Sequence, residues 1–271
     1  MRVGISNIAW DPSRDADVAV ILRSHGLDAI DIAPGKYVSV ADASAAELAA
    51  LRRVWESRGF EITGMQSLLY GTTGLTLFED ASSRQAMLEF LAHVCRVGGA
   101  LGATRLVFGS PKNRDIGSLH ASEAEAIAVS FFRQLGDIAE RRGVRIMLEP
   151  NPRVYGATYM VDSAETAAVV AAVDHPGIAM QLDLGAMALN DEDVSIMADL
   201  QGLVGHVHVS MPHLAPVAPT EFLADAGPEA NRLWPNHIAC IEMLTKEDPL
   251  AEIEDATRYA VATFGGGSSS P

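Results

Sequence analysis

Only two cysteines, Cys95 and Cys240, occur in the 271 residues, and neither sits in a CxxC pair. A disulfide framework and a thiolate zinc knot are therefore excluded, and both residues, in apolar surroundings, are expected as buried free thiols. Long hydrophobic runs are also lacking. A membrane-spanning helix needs about 20 consecutive apolar residues, and the richest stretch, Ala164–Val173, is shorter and broken by Glu165 and Thr166. The start, Met1-Arg2-Val3-Gly4-Ile5-Ser6-Asn7, runs into a polar turn at Asp11-Pro12 without the apolar core of a secretion signal, so a cytoplasmic location is expected. Positive charge is scarce: 20 basic against 35 acidic side chains give a formal charge of −15, without a Lys/Arg cluster to reverse it locally. Such a surface repels phosphate backbones and anionic lipid, which excludes nucleic acid and membrane as expected partners. No GxGxxG follows the first apolar segment, which reads Asn7-Ile8-Ala9-Trp10-Asp11-Pro12, so the dinucleotide fingerprint is missing.

What is present is alternation. Short apolar runs at Val3–Ile8, Ala29–Ala33, Glu61–Leu69, Arg105–Phe108, Val144–Glu149, Ile178–Leu184, Val204–Ser210 and Ile238–Met243 read as strands. Segments with helical spacing lie between and after them: Asp15–Ser24, Ala45–Arg58, Ser82–Gly98, Ser122–Arg142, Ser163–Val173, Glu192–Leu200, Thr220–Leu233 and Pro249–Phe264. In the second, Leu48, Leu51 and Trp55 share one face, and Gly59 supplies the stop. Gly227-Pro228 interrupts the seventh. Strand–helix repeats imply parallel pairing with right-handed crossovers. Eight of them close into a single (β/α)8 barrel, the α/β TIM-barrel class, over residues 1–264, with a doubly wound open sheet as the competing topology. Residues 265–271, Gly265-Gly266-Gly267-Ser268-Ser269-Ser270-Pro271, read as a flexible tail.

In such a barrel the strand C-termini build the active site. Four of the last strands end in ligand-type residues, Glu149, Asp183, His208 and Glu242, spaced 34, 25 and 34 residues apart, one per repeat. Side chains alternate along a strand. The parity that turns Glu149 inward also turns in Met147, Gln181 with Asp183, His206 with His208, and Cys240 with Glu242, and leaves Ile146, Leu148, Leu182, Val207, Val209 and Ile241 to meet helices. Three carboxylates and an imidazole suit one divalent cation such as Mn²⁺, Mg²⁺, Co²⁺ or Zn²⁺. Without it the carboxylates would repel one another and take up protons, because the nearest bases, Arg145, Arg153 and Lys246, are not inward near these strand ends. His206, one step deeper, is expected as a packed histidine rather than a ligand, and Asp31 as a supporting acid or a barrel-core acceptor. Lys112 and Arg114, in the turn Gly109-Ser110-Pro111-Lys112-Asn113-Arg114, could hold a phosphate or carboxylate or merely face solvent. Trp10, Tyr70 and Tyr155 follow strands one, three and five, where aromatic faces either stack on sugars or pack loops.

With Leu148-Glu149-Pro150-Asn151-Pro152, Asp183-Leu184-Gly185, His206-Val207-His208-Val209-Ser210 and Ile241-Glu242-Met243, the sequence resembles the sugar phosphate isomerase/epimerase family, the xylose isomerase-like barrels, from Arg2 to Phe264. The resemblance implies a single divalent metal on Glu149, Asp183, His208 and Glu242, with Glu149 and Glu242 also the acid/base pair that moves a proton beside a carbonyl through an enediolate. It implies a carbohydrate-like small-molecule substrate, a role in carbohydrate metabolism, and pairing into a homo-oligomer through barrel helices. Substrate contacts are expected from Trp10, Lys112, Arg114, Asn151, Tyr155 and His213. Three positions depart from the pattern. Relatives commonly carry His where this chain has Ala186 and Glu where it has Met211, and Tyr155 stands where ketose 3-epimerases have a substrate-binding Glu. A lyase or dehydratase acting on the same type of intermediate, as in inosose-processing relatives, and a non-catalytic ligand-binding barrel are the alternatives.

Overall fold

The computed structural model describes residues 1–266, and residues 267–271, most of the expected tail, lie outside the described ones. Eight strands pair in sequence order, all parallel, and β1 meets β8 to close the barrel. They are β1 Arg2–Ser6, β2 Ala29–Ile32, β3 Glu61–Met65, β4 Arg105–Phe108, β5 Arg145–Leu148, β6 Ile178–Asp183, β7 Val204–Ser210 and β8 Ile238–Glu242. The helices are α1 Asp15–Ser24, α2 Ala45–Ser57, α3 Ala81–Leu101, α4 Ala121–Glu140, α5 Ser163–Val173, α6 Leu184–Leu189, α7 Glu221–Leu233 and α8 Pro249–Phe264. The chain is thus a single (β/α)8 barrel. No helix among the described residues is long and apolar enough to cross a membrane.

Polar residues fix where helices start. Ser44 accepts from the Glu47 amide while the Glu47 carboxylate accepts from the Ser44 amide, a reciprocal cap that begins α2. Asp80, Asp162 and Thr220 cap α3, α5 and α7 in the simpler one-way manner. Pro228 is tolerated inside α7, and Gly227 beside it lets α7 approach α8, since a Cβ there would meet Thr263 at 2.6 Å.

Apolar side chains sort into two populations. The large cluster between strands and helices holds Ile146, Leu148, Leu182, Val207, Val209 and Ile241, the outward set expected from alternation. Two small clusters, Ala29 with Ile238 and Cys240, and Val107 with Met147 and Ala179, stand apart from it as fillings of the barrel interior. Both cysteines are buried and free. Register shifts in the β2–β3 and β6–β7 pairings insert Thr63 and Gly205 as extra residues, after which Asp31 lies opposite Gly64 and Gln181 opposite His206.

The sixth helix differs from expectation. Helix α6 begins at Leu184, within the expected strand, because the Asp183 side chain accepts the Ala186 amide and so serves as its N-cap. The expected helix at 192–200 is only a 3-10 turn, Val194–Ala198, capped by Asp193. Strands one and three are also shorter. Ser6 turns the chain after β1 by accepting from the Ile8 amide, and β3 stops at Met65.

Candidate active site

The strand C-termini bring Glu149, Asp183, His208 and Glu242 together, each offering a donor atom within 4.8 Å of the others. All four are buried. The Nδ1 atom of His208 lies 2.9 Å from Oε1 of Glu149, 3.2 Å from Oε2 of Glu242 and 3.9 Å from Oδ2 of Asp183.

Asp183 and Glu242 are held from outside the cluster. Oδ1 of Asp183 accepts from the Ala186 amide at 2.6 Å and the Ser210 hydroxyl at 2.8 Å, which leaves Oδ2 facing His208. Ser210 in turn accepts from the Gly185 amide at 2.8 Å. Oε1 of Glu242 accepts from Nε2 of Gln66 at 2.6 Å, so Oε2 faces the cluster. Glu149 packs against the Gly109 backbone so closely that any Cβ at position 109 would overlap its Oε2. Beneath the cluster, Asp31 is wholly buried, with Oδ2 at 2.7 Å from Nε2 of His206 and Oδ1 accepting from the Thr63 hydroxyl at 2.7 Å. Gly64 leaves that carboxylate its room.

Concentrated negative charge perturbs the titrations. Burial, with repulsion from Glu149 and Glu242, pushes the Asp183 carboxyl up to about 8. Burial also raises Glu149. Burial alone would lower His208, but Glu242 and Glu149 hold its imidazole well above the ordinary histidine value. Glu242 ends below the usual carboxylate range because His208 and the Gln66 bond outweigh burial. A site that draws protons onto its carboxylates and imidazole is equally a site for a cation. After their outer contacts are made, Asp183 and Glu242 each keep one oxygen turned inward beside Glu149 and the His208 Nδ1, a donor set that fits a hard-to-borderline divalent ion.

Two cavities flank this cluster and share Gly109, Pro111, Glu149 and Glu242. One, of about 210 Å³, adds Gln66, Ser67 and Ser110, and the other, of about 430 Å³, adds Asn151, Tyr155, Met211 and His213. Asn151, Tyr155 and His213 therefore meet at the mouth, and the Tyr155 hydroxyl accepts from the His213 amide at 2.7 Å. Three other candidates lie elsewhere. Trp10 is buried, donating to Asp15 at 2.9 Å. Lys112 is exposed and lines neither cavity. Arg114 is wholly buried, donating to the Asn151 side chain at 2.8 Å, and burial lowers its guanidinium to about 10. It braces Asn151 from behind instead of facing the mouth.

Gln66, Ser210 and Gly109 carry contacts that sequence reasoning did not assign. Gln66 is a polar residue directly after a strand end, a position that signals the mouth. Its pairing with Glu242 spans 176 residues and has no local signature.

The fold and site define a (β/α)8 barrel with a carboxylate–imidazole centre at its C-terminal mouth. The sequence pattern described as Xylose isomerase-like TIM barrel matches residues 20–223, so the chain belongs to that family. A search of curated proteins finds no match. Among solved structures, D-psicose 3-epimerase from Clostridium cellulolyticum H10, crystallised with D-tagatose, is similar at 15% identity and TM-score 0.81, covering 97% of this chain and 99% of that one. The 3-keto-D-glucoside 4-epimerase of E. coli is similar at 16% identity and TM-score 0.76, covering 97% and 99%. A sugar phosphate isomerase/epimerase from Parabacteroides distasonis follows at 10% identity and TM-score 0.71, covering 96% and 93%. Likeness at these identities shows the fold.

Proposed function

We propose that this protein is a divalent-metal-dependent isomerase or epimerase of a sugar ketone, with Glu149 and Glu242 as its acid/base pair. The observation that carries the reading is the convergence of Glu149, Asp183, His208 and Glu242, each from a different strand end, on one point within 4.8 Å. Sugar epimerases among its structural neighbours support the substrate class. A divalent cation held by these four residues would supply Lewis-acid stabilisation of the negative charge that develops on the substrate oxygens. One glutamate takes the proton from the carbon beside the carbonyl. The other delivers a proton to the opposite face of the resulting enediolate, and the roles exchange with direction. Gln66 keeps Oε1 of Glu242 occupied, which fixes the direction in which its other oxygen works. Gly109 gives Glu149 the room to stand beside the substrate.

Metal analysis of the purified protein, followed by incubation of a sugar-ketone panel in D₂O, tests the reading. Metal-dependent deuterium incorporation, abolished in both Glu149→Gln and Glu242→Gln, is the expected result. Loss of water to an enone or diketone would replace this reading with a lyase. A metal-replete protein that exchanges nothing over a broad panel would leave a binding barrel.

A further inference from the structure

Below the mouth, the barrel centre brings together a second set of donor groups. Asp31 on β2, His206 and His208 on β7 and Cys240 on β8 each offer a donor atom, all within 4.8 Å of one another, and all four residues are wholly buried. Barrel interiors are filled mostly by bulky, branched apolar side chains. Here the filling gives way to a carboxylate, two imidazoles and a thiol, and a Cβ at Gly64 would overlap the carboxylate. A histidine that ligates a metal through one ring nitrogen almost always donates from the other to a carboxylate, a carbonyl or water. His208 turns Nδ1 to Glu149 and Glu242, and because the two ring nitrogens point apart, Nε2 is the atom it offers inward. That atom is buried without a hydrogen-bond partner among the described residues, and so is Nδ1 of His206. The Cys240 sulfur makes a long contact, 3.8 Å, to the Ile241 carbonyl. Unmade hydrogen bonds at this depth are costly, and a cation that takes the lone pairs removes the cost. Thiolate with imidazole suits zinc, whereas sites of carboxylate and water suit magnesium or manganese. Zinc holds four donors at about 2.0–2.3 Å, which sets them about 3.3–3.8 Å apart, so shifts of about 1 Å close the shell.

We propose that Asp31, His206, His208 and Cys240 form a second ion site beneath the mouth, structural in role and suited to zinc. The Cys240 thiol releases its proton to solvent as the ion binds, and the sulfur becomes a thiolate ligand. With the mouth also loaded, the His208 ring stands between two ions and gives up its remaining N–H proton. The inner ion fixes the ring whose Nδ1 faces Glu149 and Glu242, so it orients the mouth from below. Because all four residues are wholly buried, the ion enters while the chain folds. The site stands whether or not the epimerase reading does.

Expression in cobalt-supplemented medium loads the site as the protein folds. Cobalt bound to thiolate gives an intense near-ultraviolet charge-transfer band that nitrogen and oxygen donors do not give. The expected result is that band together with two cobalt ions per chain. Cys240→Ser should lose the band and one ion, whereas Cys95→Ser, in the outer core, should keep both. X-ray absorption at the zinc edge of the zinc-loaded wild-type protein needs no variant and is expected to show one sulfur neighbour at about 2.3 Å. A wild-type spectrum without the band, a band that survives Cys240→Ser, or a zinc shell of nitrogen and oxygen alone would overturn the proposal. Glu149→Gln separates the two sites, because it should lose the mouth ion and retain the band. One ion with the band, in wild type and Glu149→Gln alike, would remove the mouth reading and keep the inner site. One ion without the band would do the reverse.

Discussion

Gln66, one residue past the end of β3, donates to Oε1 of Glu242 on β8 at 2.6 Å across the barrel mouth. Neither partner is exposed, so the bond is shielded from competing water. It holds the glutamate by one oxygen and leaves the other to face His208.

Gln66→Leu removes that donor and leaves a buried carboxylate oxygen without a partner. Loss of a hydrogen bond that orients a ligand typically costs about 10–100-fold in metal affinity or activity. Titration of the metal-free variant with Mn²⁺ or Co²⁺ is expected to show a loss in that range. Wild-type affinity would mean that Glu242 is oriented by something other than Gln66.

The metal-free protein is expected to lose stability as pH rises. Folding raises the Asp183 carboxyl from about 3.9 to about 8, so through that window the folded state keeps a proton that the unfolded chain releases. His208 acts in the same direction: its raised value contributes stability that is complete below about 6.5 and declines as pH climbs toward the folded value. The lowered value of Glu242 opposes this in part. A divalent metal held by the proposed ligands would replace these protons, so its stabilising effect should grow with pH. At a hundredfold excess over Kd it should reach about 2.7 kcal/mol. Thermal melts between pH 5 and 8, with chelator and then with metal, measure both trends. A chelated protein whose Tm rises steadily over that range would contradict the charge balance described for the cluster.

Arg114 and Lys112, two residues apart, should respond in opposite ways to truncation. Arg114 is wholly buried and joined to Asn151, so Arg114→Ala leaves a large void and an unpaired amide oxygen, at a cost of about 3 kcal/mol. Lys112→Ala, on the exposed side of the turn, should stay within about 0.5 kcal/mol of wild type. Denaturant unfolding of the two variants gives the comparison. A stable Arg114→Ala protein with a raised KM would instead place the guanidinium on the substrate.

Sequence periodicity was sufficient for eight strand–helix units and for their inward residues, while the β1–β8 pairing decided the closed barrel over the open sheet. Alternation along β6, β7 and β8 assigns Asp183, His208 and Glu242 to the interior, and the isolation of Met147 and Cys240 from the outer core follows the same rule. The rule holds because a strand offers only two faces, and one of them must meet the apolar stripes of the helices. Asp183 shows where local reading falls short. The same side chain caps α6 and turns an oxygen toward His208, and the capping role moved the helix ahead of its expected position.

The directions taken by loop side chains were decided by tertiary structure alone. Arg114 turns to Asn151 and Gln66 to Glu242, each following a partner set by the closed barrel. Segments beyond a strand end have no period to constrain them, and their polar groups settle wherever burial demands a hydrogen bond. The scarcity of positive charge, plain in the sequence as a global imbalance, thereby becomes local. With Lys112 outside and Arg114 enclosed, the mouth around Glu149 and Glu242 has no lysine or arginine among its described lining residues.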